Sequence, residues 1–453
     1  MGKSVIFAIK NIRRMAVALS MCLCSVLAVL AADDGGDYDV MPPVVNADHS
    51  VTFTIEAPDA QVVKIEGDFL PKVKKIRTKA GTFGRDQSIE MTKKGKRWTY
   101  TSAVLASNFY TYNFVVDGVR TLDPRNTNVV RDVNELSNYF IVDGGIADSY
   151  LPADVPHGSV EQVWYPSSWK GMKRRRMTVY TPPTYATSAA TTRFPVLYLL
   201  HGSGGDETSW CDCGRAVQIL DNLIAKGLVK PMIVVMPNGL VDWQAAPGIG
   251  PDYNREPTAN NVSSMMGLFE NTFVADVVTY VDSHYRTLRR QSGRAIAGLS
   301  LGGLHAIHIS ANKPSTFGYV GLFSAQTTNA LNNRVLNRLG KVASRLQKIV
   351  DKIPNLQGSD TDHKVDDLND RFASGDMDVY SNIDSKLKTQ FASGLKLYYI
   401  AVGRDDFVKK LNDDFRQKLD DAGCTYVYNE TDGGHSWDNW RKYLVDFLPR
   451  LFK

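Results

Sequence analysis

Gly298-Leu299-Ser300-Leu301-Gly302 is the stretch that decides how this 453-residue chain folds. It fits the pattern G-x-S-x-G. Before it, Gly293-Arg294-Ala295-Ile296-Ala297 reads as a short buried strand; after it, Gly303-Leu304-His305-Ala306-Ile307-His308-Ile309 reads as the start of a helix. The two glycines permit a sharp turn that holds a serine in a strained conformation with its hydroxyl exposed. The same turn places backbone N–H groups at a helix N-terminus, where developing negative charge is favoured. Ser300 is therefore a candidate nucleophile, and the rest of the chain has to supply its partners.

Outward from this turn, strands and helices alternate. Phe194-Pro195-Val196-Leu197-Tyr198-Leu199-Leu200 and Met232-Ile233-Val234-Val235-Met236-Pro237 are continuous apolar runs, as expected for strands buried on both faces. Residues 273–285 carry apolar Val274, Val277, Val278 and Val281 at helical spacing. Tyr319-Val320-Gly321-Leu322-Phe323-Ser324 and Leu395-Lys396-Leu397-Tyr398-Tyr399-Ile400-Ala401-Val402-Gly403 continue the strands, and 425–428 reads as the last one. Repeated βα units predict a doubly wound, mostly parallel α/β sheet over 159–453. Residues 329–390 break the repeat; 334–353 reads as a polar amphipathic helix and 376–387 as irregular. That segment is expected to be a lid, a substrate wall or a peripheral excursion. The run Lys173-Arg174-Arg175-Arg176 reads as a solvated edge or turn rather than a polyanion site.

A serine hydroxyl needs a base, and the base needs an acid to orient it. Of eight histidines, His49 and His157 lie in the N-terminal part, His284 in a helix and His363 in the polar insertion. His305 and His308 follow Ser300 too closely to turn back onto it. His201 ends a strand before Gly202-Ser203-Gly204-Gly205; His435 sits in the loop Gly433-Gly434-His435-Ser436-Trp437 after the last strand. With the nucleophile on such a turn, the chain order serine, acid, histidine selects His435. The acid should follow the penultimate strand, where Asp405 and Asp406 are both available. An oxyanion needs two donors: the Leu301 N–H, and one from the 202–205 loop, with Ser203 the first choice and Gly202 the second. Trp243 and Tyr253, in a Gly/Pro-rich loop, and Trp437 are candidate substrate contacts. The chemistry calls for no cofactor and no metal, and the lysine that a phosphate-cradling loop requires is missing after 202–205.

The N-terminal part is of another kind. Basic Lys3, Lys10, Arg13 and Arg14 precede an apolar run over 15–30 and then Ala31-Ala32, the pattern of a secretory signal over 1–32. Met21 before Cys22 argues against a lipoprotein signal. Loss of 1–32 would remove four of the five net positive charges, so the basic balance is no argument for nucleic acid. It would also leave no apolar run long enough to span a membrane. Residues 33–47 read as a polar leader, and 48–143 as short alternating strands with Asp117-Gly118 as a hairpin turn, a β-sandwich. Residues 144–158 read as a linker. Cys211, Cys213 and Cys424 remain; adjacent Cys-x-Cys members do not pair easily, and pairing of either with Cys424 stays open.

The matching stretches now support a resemblance. Tyr198-Leu199-Leu200-His201-Gly202-Ser203-Gly204-Gly205-Asp206, Val235-Met236-Pro237-Asn238-Gly239, Asp282-Ser283-His284-Tyr285-Arg286, Ala297-Gly298-Leu299-Ser300-Leu301-Gly302-Gly303 and Gly433-Gly434-His435-Ser436-Trp437 resemble the esterase D-like carbohydrate esterase family 1. Val62 to Phe69 and the run from Tyr110 through Leu122-Asp123-Pro124 look like early-set sandwich domains related to glycogen-binding modules. The resemblance implies an α/β-hydrolase fold behind a smaller all-β domain, and makes Asp406, at the fourth position of a G-x-x-D stretch, the acid. It also implies hydrolysis of feruloyl or acetyl esters on a xylan-type polysaccharide by an exported, periplasmic or extracellular enzyme. An acyltransferase on the same fold and a non-catalytic carbohydrate-binding protein are the alternatives. Ser203 departs from the family's more usual glycine or apolar residue.

Overall fold

The computed structural model describes residues 43–78, 81–86, 88–133, 135–168, 173–239, 267–327 and 376–453. The expected signal over 1–32, the leader up to residue 42, Trp243, Tyr253 and most of 329–390 lie outside these residues.

The first part of the chain is all β. Strands β1 (Val44–Val45), β2 (Val51–Glu56), β3 (Val63–Gly67), β4 (Lys72–Thr78), β5 (Gly81–Asp86), β6 (Ser88–Glu90), β7 (Thr92–Lys94), β8 (Arg97–Thr101), β9 (Asn108–Val116), β10 (Val119–Thr121), β11 (Val129–Asp132) and β12 (Glu135–Val142) run in order. They form one sheet ordered β1-β2-β8-β7, a second ordered β11-β12-β9-β3-β6, and a β4-β5 ribbon. Alternation places Val51, Phe53 and Ile55 of β2 inward. There Phe53 meets Phe69, Tyr112 and Phe140 at ring separations of 5.0, 5.0 and 5.3 Å. Most of the aromatic alternation in this region therefore builds a core.

The second part is one eight-stranded sheet built from β13 (Ser159–Pro166), β14 (Arg174–Thr181), β15 (Val196–Leu200), β16 (Ile233–Pro237), β17 (Arg294–Leu299), β18 (Tyr319–Phe323), β19 (Leu397–Gly403) and β20 (Val427–Thr431). The order is β13-β14-β16-β15-β17-β18-β19-β20. All neighbours are parallel except at β13 and β14, which pair antiparallel. Helices cover both faces, so β15, β16, β17 and β18 are buried along their whole length. Strand order reverses at β15, with β16 on one side and β17 on the other. A crevice beyond the carboxyl ends of the strands is the expected ligand site at such a reversal.

Two sequence readings are corrected. The basic run is solvated only in its first half: Lys173 and Arg174 are exposed, whereas Arg175 and Arg176 are 0% and 3% exposed within β14. Arg175 donates to the Asn238 carbonyl at 2.8 Å, and Arg176 pairs with Glu207 at 3.2 Å. Their charge is compensated inside the protein, which a local run of basic residues does not disclose. Part of the stretch read as irregular, 376–387, is regular: it holds a 3-10 turn over Asp376–Tyr380, and the helix Ile383–Ala392 begins within it. Cys211, Cys213 and Cys424 are all free thiols.

Candidate active site

The site begins with the backbone at the end of β17. Ser300 takes φ 51° and ψ −116° just before the helix Leu301–Asn312. This left-handed strain is held by hydrogen bonds: its N–H donates to the Phe323 carbonyl at 2.9 Å, and its own carbonyl accepts from Gln326 N–H at 3.0 Å. The flanking glycines are needed for space. A Cβ on Gly298 would lie 2.3 Å from the Gly302 carbonyl oxygen, and one on Gly302 would lie 2.3 Å from the His201 carbonyl oxygen. Leu301 opens the helix, so its N–H has no partner within it.

His435 comes from the loop between β20 and the helix Trp437–Phe447. Its Nε2 lies 2.9 Å from Ser300 Oγ. Its Nδ1 lies 3.0 and 3.1 Å from the two carboxylate oxygens of Asp406. A carboxylate accepts only, so Nδ1 carries the proton and Nε2 is left to accept from the serine hydroxyl. Asp406 follows β19 and is 5% exposed; its Oδ1 also accepts the Val408 N–H at 3.0 Å. Asp405 is exposed, its N–H bonded to the Gly433 carbonyl at 3.0 Å. The imidazole is packed by Phe407, at a ring separation of 4.4 Å, and edge-on by Trp440 at 5.0 Å.

The glycine-rich loop after β15 runs against the serine: a Cβ on Gly202 would lie 3.2 Å from Ser300 Cβ. Ser203 follows in a turn and is half-buried. His201, which the chain order set aside as a base, braces this loop. Its Nδ1 lies 2.8 Å from the Gly202 carbonyl, and its Nε2 accepts from Gly239 N–H at 2.8 Å. Full burial pulls its pKa down to about 4, so it stays neutral in the tautomer those two bonds require. Glu207 completes the brace from below, joined to Arg176 and to Asn238 at 2.8 Å.

A cleft of about 490 Å³ opens beside His435, walled by the sandwich on one side and by the last loop and helix on the other. Trp437 lies on this wall, its indole N–H donating to Asp132 Oδ1 at 3.2 Å. Burial raises the Asp132 carboxyl above its ordinary range, and the indole bond partly offsets that. Asp132, Tyr110 and Arg120 of the sandwich reach the same cleft. Sequence reasoning did not find them, because cross-domain contacts have no local signature, and it did not find Phe407 beside the acid. The His201 brace had one signal, a histidine directly before the glycine loop. Among the described residues no cluster of His, Cys, Asp and Glu suits a metal ion.

A family model described as "Putative esterase" matches residues 170–451. The chain belongs to this esterase family. The match spans seven strands of the eight-stranded sheet, all but β13, and with them Ser300, Asp406 and His435. The resemblance drawn from the motifs is borne out, and so is the α/β-hydrolase fold with an all-β region before it. A 32% identical relative over 288 residues is an endo-1,4-beta-xylanase/feruloyl esterase of Xylanibacter ruminicola. That alignment covers 63% of this chain and 36% of the relative, so the chain spans about a third of that protein. An acetyl esterase of Caldicellulosiruptor saccharolyticus is 25% identical over 260 residues, covering 57% of this chain and 83% of the relative. The crystal structure of an enterochelin esterase from Shigella flexneri superposes with a TM-score of 0.56 at 15% identity, covering 91% of this chain and 95% of that one. That likeness is one of fold, and it extends over both the β region and the α/β sheet. Ser300 at the elbow and its hydrogen-bonded partners His435 and Asp406 thus lie inside the esterase-family match.

Proposed function

We propose that the protein is an exported serine esterase that releases feruloyl or other hydroxycinnamoyl groups, or acetyl groups, from plant cell-wall polysaccharide such as arabinoxylan. The observation that carries this reading is the hydrogen-bonded series Asp406–His435–Ser300, with Ser300 at a strained elbow beside a glycine loop. His435 Nε2 takes the Ser300 proton as Oγ forms a bond to the ester carbonyl carbon. The carbonyl oxygen becomes an oxyanion facing the N–H groups of Leu301 and Ser203. The ester C–O bond then breaks, and the sugar leaves with the proton held on His435. Water repeats the sequence on the acyl-enzyme, releasing the acid and restoring Ser300. Asp406 keeps the imidazole in the required tautomer and stabilises it when charged.

The substrate class is supported by the two relatives whose names give feruloyl esterase and acetyl esterase. Export is supported by the basic and apolar pattern of residues 1–32. No helix among the described residues is long and apolar enough to cross a membrane. Trp243, Tyr253 and Trp437 are proposed contacts for an aromatic acyl group or a sugar. The test is a panel of methyl ferulate, methyl p-coumarate, acetylated xylan and 4-nitrophenyl acetate. Turnover of 4-nitrophenyl acetate together with the ferulate or the acetylated xylan is expected. No release of acid from any of the four would contradict the reading.

A further inference from the structure

The loop after β15 is held from two sides, and one of them belongs to the sandwich. Arg131, on β11, lies outside the esterase-family match. Its guanidinium forms an ion pair with Asp206 in which the side chains are 17% and 1% exposed. It also donates to the Val133 carbonyl at the hairpin tip, at 2.5 Å. Val133 takes φ 57° there, and its Cγ1 lies 2.7 Å from the position of a Cβ on Gly204, whose own φ is 77°. Hairpin tip and glycine loop therefore interlock, and neither residue of the contact has room to move toward the other.

Asp206 transmits the contact. Its Oδ1 accepts the N–H and the hydroxyl of Thr208 at 2.9 and 2.8 Å, and its own N–H donates to Ser209 Oγ at 2.9 Å. Between residues 201 and 206 the chain is thus pinned at one end by His201 and at the other by the Arg131–Asp206 pair. Ser203 lies between the two pins. Asp132 and Asp212 flank the same pair, so Arg131 is a cation set among acids.

We infer that Arg131 is a positioning residue for the oxyanion hole: the sandwich domain fixes the donor loop of the esterase through the Arg131–Asp206 ion pair. The inference rests on the esterase reading above. Without Arg131, the carboxylate of Asp206 is left buried and unpaired, and the loop relaxes toward water to solvate it. An oxyanion donor works only at hydrogen-bond distance from the developing charge, so a shift of a few tenths of an ångström lowers turnover rather than binding.

The experiment uses the full chain and 4-nitrophenyl acetate, a small ester that needs little of the cleft. Steady-state kinetics at 25 °C and thermal midpoints are measured for the parent, Arg131→Ala, Arg131→Lys, Asp206→Asn and the Arg131→Ala/Asp206→Asn double variant. Removal of a whole oxyanion donor costs about 100- to 1,000-fold in kcat, so a displaced one is expected to cost about 10- to 100-fold. For Arg131→Ala the expected result is that loss in kcat with KM within about twofold of the parent. Arg131→Lys should recover part of it, and the double variant should be no slower than Arg131→Ala, because no buried carboxylate is left stranded. A kcat for folded Arg131→Ala within twofold of the parent would overturn the inference, as would losses that multiply in the double variant. A lowered thermal midpoint with kcat unchanged would mean that the pair only stabilises the fold. If Arg131→Ala does not fold, Arg131→Lys carries the same comparison, with an intermediate kcat expected and a parental kcat decisive against. A parent inert toward every ester of the panel would overturn the esterase reading, and the coupling with it.

Discussion

The difference between two adjacent carboxylates defines the site at the scale of the residue. Asp406 is buried against the His435 Nδ1, whereas Asp405 is exposed and its N–H bonds to the Gly433 carbonyl of the loop. Asp406→Asn should lower kcat by about four orders of magnitude, because an amide permits the wrong imidazole tautomer. Asp405→Asn should leave it within about twofold. Stopped-flow or steady-state hydrolysis of 4-nitrophenyl acetate by the two variants distinguishes them, and equal losses would contradict the assignment. From sequence alone the serine and the histidine are legible, since one motif marks Ser300 and chain order leaves only His435. The acid is less so: both aspartates follow the same strand, and without the resemblance that favours Asp406 only burial separates them. Phe407, half exposed over the imidazole, had no signal at all.

At the scale of the element, the strand–elbow–helix unit is set by steric limits on its glycines. A methyl group on Gly302 would sit 2.3 Å from the backbone oxygen of His201 and 2.7 Å from that of Leu200. Backbone at the end of a central strand cannot rotate away as a side chain can. Gly302→Ala should therefore destabilise the protein by roughly 1–3 kcal/mol, as overpacking does. It should also lower kcat at least tenfold, since any relief shifts the Leu301 N–H. Urea unfolding and ester kinetics on the same preparation test this; parental values in both would show that the elbow has slack. Apolar runs made the central strands β15 and β16 readable, because burial on both faces removes polar residues from them. The same rule hid the start of β14. Arg174-Arg175-Arg176 looks like solvent-facing charge, and partners outside the run, among them Glu207, Gln162 and the Asn238 carbonyl, make the burial of Arg175 and Arg176 tenable.

At the scale of the molecule, sandwich and esterase are packed together rather than strung in series. Arg441, 2% exposed, donates to the Cys213 carbonyl at 2.7 Å and to the Phe109 carbonyl at 3.3 Å, and stacks over the Phe109 ring. The order of strands announced both architectures, but nothing in it announced that Asp132 and Arg131 would reach the site. Global stability also has a predictable dependence on pH. Burial pulls His308 down to about 3 and His201 to about 4, while the unfolded chain titrates them near the ordinary 6.5. The folded values lie below the unfolded one, so on acidification the unfolded state takes up protons that the native state refuses. Stability is thus lost as pH falls below about 6.5, by up to about 1.4 kcal/mol per pH unit for each histidine. The raised carboxyls of Asp123, Asp132 and Asp212 act in the opposite sense nearer the carboxylate range, so the comparison is best made at pH 7 and pH 5.5. His308 faces Glu270, His305 and Lys386, which stay in place in a His308→Leu variant. That variant should lose less stability than the parent between the two pH values in urea unfolding. Parallel losses in the two proteins would contradict the buried, neutral assignment.

The covalent step at Ser300 is the centre of the proposed chemistry. The most direct measurement is hydrolysis of 4-nitrophenyl acetate by Ser300→Ala, with its thermal midpoint recorded beside the parent's. A fall in kcat of about four to six orders of magnitude in a folded protein is the predicted result. Turnover that survives the substitution within tenfold of the parent would contradict the account.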